Sequence, residues 1–507
     1  MLKRIDNTEK YGYNYVNTPL QNVEKRAIKE AKMKKEEKRI AREQKELARL
    51  KKEQAKPDFK GYFFVLMGLI VMFQLLDMMA TTVWNNLQDA IVKDFAGLGF
   101  NADISEGGAG YQAYQDTLSK MTLIQIVSYV FLGIVPWYKS LADKVGRRPL
   151  FIFNAALLGF AMFVGGLTNN IVIFLVASTI ITFFTLHDMQ ILYVVESVPK
   201  NKRGTWTGIV QAVGSAAGVL VIALRLSNLQ PDGTAGEVPW RGIYVLVGAI
   251  GILVFLLAAA FLKESRPYIE SRIKYLEKTP EEREMDAKNA AKSQGGVIAG
   301  FKLMFKNKQL RWLAIATFCV NAANNLISSY NNTIMAQNGF DNVQITTALL
   351  ASCATGVVIG YVMGPIADKL SRKHAILIFG ILSCASFVGF AFGTPYIQNG
   401  TIGSVLAGVL FGVSISSYSN ILSLTTLMMS ESAPASMRSS VIGVCAFFRV
   451  SAVIAMAASS ALFRVMPTAM VCTILAVPFL LLGSILVMAK TKETSGRSFE
   501  EIEQDFV

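Results

Sequence analysis

Charged side chains are scarce in this sequence, 17% of residues against 52% hydrophobic, where soluble globular chains carry about 25%. The apolar residues fall in runs of roughly 20, the length a helix needs to cross about 30 Å of hydrocarbon. A soluble multidomain enzyme is thereby excluded, and a polytopic membrane protein is expected. Histidine is nearly missing as well, with His187 and His374 the two in 507 residues. No HExxH, nucleophile elbow or Walker sequence accompanies them, so no enzyme activity, catalytic residue, metal or cofactor is expected. The five cysteines, Cys319, Cys353, Cys384, Cys445 and Cys472, lie in apolar stretches of the second half without a CxxC pair or ligand spacing, and they read as packing residues. The amino terminus, MLKRIDNTEKYGYNY, holds no apolar core followed by a small-residue cleavage site. The first apolar span is therefore expected to serve as the insertion signal.

Acidic residues are outnumbered 36 to 50 by basic ones, and residues 21–56 carry 14 basic and 7 acidic side chains, half of the +14 excess. The other positives flank apolar runs. Anionic lipid headgroups, and not nucleic acid, are the partner expected for the basic tail. No continuous apolar stripe runs along residues 20–56, so a solvated, partly helical tail is expected there.

What is present in abundance is spanning length. Twelve helices are predicted, spans 1 to 12, at roughly 61–83, 121–138, 149–168, 171–196, 205–227, 241–263, 311–334, 344–366, 374–394, 402–428, 439–463 and 467–489. They divide the chain into a charged tail (1–60), a first six-helix half (61–263), a charged central loop (264–310), a second half (311–489) and a short carboxy-terminal tail (490–507). One set of short connections holds Lys139, Lys144, Arg147, Arg148, Lys200, Lys202, Arg203, Lys369, Arg372, Lys373 and Arg438, and the other only Lys93, Lys120, Arg241 and Arg464. That bias predicts both termini in the cytoplasm, with the plasma membrane as the location. The connection after span 1, with Asp89, Asp94, Asp103, Glu106 and Asp116, is expected to form an acidic outer surface.

An internal repeat organises the halves. ADKVGRR at 142–148 recurs as ADKLSRK at 367–373, VESVPKNKRG at 195–204 as SESAPASMRS at 430–439, and KESRP at 263–267 as KETSG at 492–496. Three motifs in one order at nearly one offset indicate a duplicated six-helix unit. With these motifs the sequence resembles the major facilitator superfamily over about residues 60–505, and within it the sugar-porter-like branch. The superfamily's loop 2–3 signature, Gly-x-x-x-Asp-Arg/Lys-x-Gly-Arg-Arg/Lys, is matched by Lys139 through Arg148 and again from Gly364. Lys139 replaces the first glycine, and Ser371 the later one in the second copy. Glu196-x-x-Pro199-x-x-x-Arg203-Gly204, KESRPY and KETSGRSFEEIE are similar to the branch pattern. The resemblance implies an all-α membrane protein of twelve helices in two pseudo-symmetric halves. It also implies gating contacts among Asp143, Arg147, Arg148, Glu196, Arg203, Asp368, Arg372, Glu431 and Arg438 that hold one conformation closed. Arg147 is placed to pair with Glu196.

Ionisable groups at membrane depth cost about 2.5–3.5 kcal/mol on insertion scales, so each is a functional candidate. Asp77 lies sixteen residues into span 1, where sugar-porter-like proteins often carry a proton-linked aspartate. The arginine that answers it in span 4 of proton-coupled relatives is replaced here by Val176. Asp188, also in span 4, is a second proton-coupling candidate. Arg449, about ten residues into span 11, resembles the arginine of organic-anion and aromatic-acid transporters and can hold a carboxylate bidentately. A structural pair with Asp77 or Asp188 is its alternative role. Arg225, near the outer end of span 5, is expected to snorkel.

Span 7 reads FCVNAANNLISSYNNT. Its amides suit hydroxyl-rich or mixed polar ligands or bond to neighbouring helices, and Asn321, Asn324, Asn325 and Tyr330 are substrate candidates. Gln211 falls where the branch places a sugar-binding glutamine. Gly214 and Gly218 in span 5, with Gly356, Gly360 and Gly364 in span 8, predict close approach of those two helices across the halves. The function expected is secondary active transport of a small polar solute, a sugar or polyol or an organic carboxylate, by alternating access and proton symport. A non-transporting nutrient sensor with a long charged tail is the rival.

Overall fold

The computed structural model describes residues 19–55, 61–99, 102–141, 145–185, 193, 197, 203–228, 236–279, 281–283, 285, 297–369, 371–397, 400–433, 441, 444–445 and 447–494. Each predicted span meets helix among them. The first six are Tyr62–Phe95, then Tyr111–Phe131 continued through a 3₁₀ turn at Leu132–Ile134 into Val135–Ser140, Arg147–Leu167, Ile171–Phe184, Arg203–Leu224 and Trp240–Phe261. The second six are Lys308–Ser328 with Asn331–Gln337, then Asn342–Lys369, Arg372–Ile397, Gly400–Glu431, the 3₁₀ turn Phe448–Ser451 with Ala452–Leu462, and Thr468–Lys490. Among the described residues, 8 helices are long and apolar enough to cross a membrane. Span 7, which carries three asparagines in its middle, is not one of them.

Two boundaries differ from the hydropathy reading for one physical reason. Span 1 runs on to Phe95, and span 2 begins at Tyr111. The residues added are polar but buried, Asn86, Gln88 and Asp89 in the first and Gln115, Thr117 and Ser119 in the second. Such side chains read as loop on a hydropathy scale, yet they stay helical where other helices supply their hydrogen bonds. Asp89 and Asp94 therefore belong to a helix and not to an outer acidic loop.

Each half is knit tightly by glycine contacts. Gly159 of span 3 and Gly251 of span 6 touch backbone to backbone, leaving no room for a Cβ. Of the glycines expected to join spans 5 and 8, Gly214 and Gly356 serve a different contact. A Cβ on Gly214 would lie 2.7 Å from Gln74 Nε2 of span 1, and one on Gly356 3.1 Å from Ser416 Oγ of span 10. Spans 5 and 8 do meet, but these two glycines let span 5 close on span 1 and span 8 on span 10. Small residues here stiffen each half from within.

A separate unit comprises residues 1–59 and 269–283. The tail is a helix, Pro19–Gln54; most of its described side chains are exposed, and its end at residues 43–51 is docked, which the reading of a wholly solvated tail did not anticipate. Leu50 packs with Ile269, Ile273 and Leu276. Glu46 pairs with Arg272 at 2.8 Å, Glu43 with Arg283 at 2.7 Å and Lys51 with Glu277 at 2.6 Å. Leu50, with Leu47 beside it, has no apolar stripe on its own helix and finds its partners on a second one, where Ile269, Ile273 and Leu276 share a face.

Candidate functional site

A cavity of about 300 Å³ lies between the two halves, within reach of a small solute. Span 1 contributes Thr81, Trp84 and Asn85, span 2 Gln125, Ser128 and Tyr129, and span 4 Ser178, Thr182 and Thr185. Tyr244 comes from span 6, Asn324, Asn325, Ser328 and Ser329 from span 7, and Arg449 from span 11. On each helix the lining positions recur at three or four residues, one face of the helix. Arg449 sits on the 3₁₀ turn Phe448–Ser451, which meets the 3₁₀ turn Leu132–Ile134 of span 2. It is exposed and has no ion-pair partner among the described residues. No carboxylate lines the cavity among those residues. Asn325 is oriented by its neighbours: the Tyr129 hydroxyl donates to its Oδ1 at 3.1 Å, and Ser329 Oγ lies 2.8 Å from the same atom. Among the described residues its Nδ2 is left without a partner, as are Trp84 Nε1 and Ser178 Oγ.

At the end of the bundle with the basic connections, the repeat places two carboxylates alike. Glu264 accepts from the backbone N–H of Arg147 at 2.9 Å and Arg148 at 3.2 Å, and Glu493 accepts from those of Arg372 and Lys373, both at 3.2 Å. Each glutamate caps the helix that opens its half's third span, where free N–H groups and the helix dipole favour an anion. Gly146, at φ 110°, leaves room for this, because a Cβ there would strike Glu264 Oε2. Burial pushes the Glu264 carboxyl above its ordinary range, against the backbone N–H groups and Arg147, which pull it down. Its share of stability is then fully present below the unfolded carboxyl range and falls as pH rises through the raised folded value. Glu264→Ala is expected to lower stability by about 1 kcal/mol, as a lost helix cap does. Glu264→Gln should keep most of the cap and lose the pH dependence, read as a melting temperature that no longer falls as pH rises above the ordinary carboxyl range.

At the opposite end a polar seam joins the halves. Tyr114 and Thr333 hydroxyls lie 2.8 Å apart, Thr122 and Tyr330 2.9 Å, Ser460 Oγ donates to Ser119 O at 3.0 Å, and Asn332 Nδ2 to Asn85 O at 3.0 Å. Arg225 does not snorkel. It is 0% exposed and forked on Asp89, with Nη1 to Oδ1 at 2.9 Å and Nη2 to Oδ2 at 2.8 Å. Burying the guanidinium is tolerable because the carboxylate and further oxygens surround it.

The sequence candidates separate accordingly. Asn324, Asn325 and Arg449 line the cavity. Tyr330 belongs to the seam, its ring 4.9 Å from that of Phe463, and Asn321 turns its Nδ2 back to Thr317 O at 2.9 Å. Asp77 is 6% exposed, one turn before Thr81, and is not a lining residue. Val176 points away from the cavity, 56% exposed. Arg372 pairs with Glu431 and donates to Thr494 Oγ1 at 3.0 Å. The Arg147 guanidinium lies 5.0 Å over the Tyr268 ring, and Arg148 Nη2 donates to Ala259 O at 3.2 Å. Asp143, Asp188, Glu196 and Arg438 lie outside the described residues, as does His187. Arg203, Gln211 and Asp368 are on helices, with their side chains not described. Trp84 and Asn85 escaped notice because the predicted span 1 stopped at residue 83. Glu264 and Glu493 were marked by the KESRP and KETSG repeat, yet nothing local says what they cap.

Residues 61–458 match the Major Facilitator Superfamily, and the chain belongs to that family, one of membrane transporters and not of enzymes. It is an integral, multi-pass membrane protein with the all-helical fold of two six-helix halves. The xylose transporter XylE from E. coli, in an inward open conformation, superposes with a TM-score of 0.60 over 88% of this chain and 100% of its own, at 15% identity. The sialic acid transporter NanX of Escherichia coli is 23% identical over 297 residues, 57% of this chain and 66% of its own length. A putative metabolite transport protein of Bacillus subtilis, YwtG, is 24% identical over 436 residues, 80% of this chain and 92% of its own. The chain thus spans about two thirds of the first curated relatives it matches, 66% and 62%.

Proposed function

We propose that the chain is a secondary active transporter that carries a hydroxylated organic carboxylate through the central cavity by alternating access, with both termini in the cytoplasm. The observation that carries this reading is the cavity wall: one unpaired cation, Arg449, no carboxylate among the described residues, and hydroxyls and amides from both halves. A guanidinium holds a carboxylate through two parallel bonds, and Asn324, Asn325, Ser328 and Thr182 present donors and acceptors to hydroxyls. Sialic acid, the solute in the name of one relative, is a compound of that kind. Neutral sugars would use the amides and leave Arg449 without a counter-charge.

Asp77, buried one turn from the cavity wall, is the proposed proton site. In proteoliposomes an inward proton gradient should drive accumulation of hydroxylated carboxylates above their equilibrium level. Asp77→Asn should abolish that accumulation while solute counterflow continues. Equal accumulation by the variant would exclude Asp77 as the proton site. Binding without any flux would establish the sensor in place of the transporter, and uptake confined to neutral sugars would overturn the carboxylate assignment.

A further inference from the structure

Asn342 opens span 8, in the second half, and both ends of its amide engage the first half. Its Oδ1 accepts from Arg225 Nη2 at 3.2 Å, and its Nδ2 donates to Gly236 O at 3.4 Å. Among the described residues the guanidinium of Arg225, just past the end of span 5, is otherwise held by span 1, through the fork on Asp89 and a bond to Asn86 O. We propose that Asn342 is the release point of a latch at this end of the bundle: the Arg225–Asp89 pair moves with the first half as one body, and the end opens by freeing Asn342.

The chemistry of the bonds decides which of them breaks. Separating Arg225 from Asp89 would strand two charges in a low-dielectric interior. Freeing Asn342 takes one neutral acceptor from a guanidinium that keeps its carboxylate, and exchanges the two amide bonds for bonds to water. The rest of the seam is similar: Tyr114–Thr333, Thr122–Tyr330, Ser119–Ser460 and Asn85–Asn332 are hydroxyl, amide or backbone contacts, and Arg464 Nε donates to the neutral Ser119 Oγ at 3.2 Å, so among the described residues no ion pair is separated there. The Arg225–Asp89 ion pair lies wholly within the first half, where rocking leaves it intact. Arg225 Nε has no partner among the described residues, so the guanidinium also has a donor free to strengthen a contact with a carboxylate placed at position 342.

The inference rests on the alternating-access reading, and its test needs no solute, so it stands or falls apart from the role of Arg449. Spin labels at Glu106→Cys and Val465→Cys, both exposed and in different halves, report the separation at this end by double electron–electron resonance. The background is the full chain with its five native cysteines replaced. Asn342→Ala is expected to raise the population at long distance about 30-fold, the weight of its two hydrogen bonds to the first half. Asn342→Asp, by adding a charge-assisted bond across the halves, should deplete that population. Distributions unchanged in both variants, or shifted in the same direction, overturn the proposal. If Asn342→Asp does not fold, Asn342→Ala alone decides: a longer-distance population supports the latch, and an unchanged one removes it.

Discussion

Arg449→Lys is expected to weaken binding of a hydroxylated carboxylate by about 30-fold, the loss of one charge-assisted bond of a bidentate pair. An ammonium keeps the charge but cannot reproduce the planar fork. Arg449→Ala should remove specific carboxylate binding altogether, since no other cation lines the cavity among the described residues. Calorimetric titration of the purified variants measures both effects. Neutral sugars are the control, because a site built around the guanidinium should let them compete poorly with the wild type. Carboxylate affinity preserved in Arg449→Ala would move the assignment to a sugar or polyol. The structural alternative, Arg449 balancing a buried aspartate, predicts the opposite sign for a paired change. Removing Asp77 and Arg449 together would then be milder than removing either. The exposed, unpaired setting of Arg449 among the described residues favours the substrate role.

The Arg225–Asp89 pair should give the largest change in stability. Arg225→Met leaves Asp89 buried at 5% exposure without its cation, and breaking a buried pair from one side costs about 3–5 kcal/mol. The double variant Asp89→Leu, Arg225→Met replaces both charges with apolar groups of similar size, and it should recover most of that loss. Thermal unfolding in detergent, compared across the two single variants and the double, reads the coupling directly. Additive losses would show that the two charges contribute separately and that the pair is no unit.

Twelve spans, the duplicated six-helix plan and the family were legible in the sequence, because spanning length and repeated motifs are local patterns set by hydrocarbon thickness and chain order. Arg449 stood out for the same kind of reason, as a guanidinium inside an apolar run whose insertion has a cost wherever its partner lies. The partners themselves did not. Arg225 and Asp89 are 136 residues apart, and at that separation nothing in the chain distinguishes a snorkelling arginine from one buried on a carboxylate. Span 7 presents its amides as one cluster, yet packing sends Asn324 and Asn325 to the cavity, Asn321 back to its own helix and Asn332 to the seam. The helix phase and the approach of the other half, both tertiary, select among them. The sequence by itself determined that the chain must bury these polar groups in a membrane. Only the tertiary structure decided which of them bond to each other and which face the cavity, because hydrogen-bond satisfaction depends on neighbours that the chain brings together from a distance.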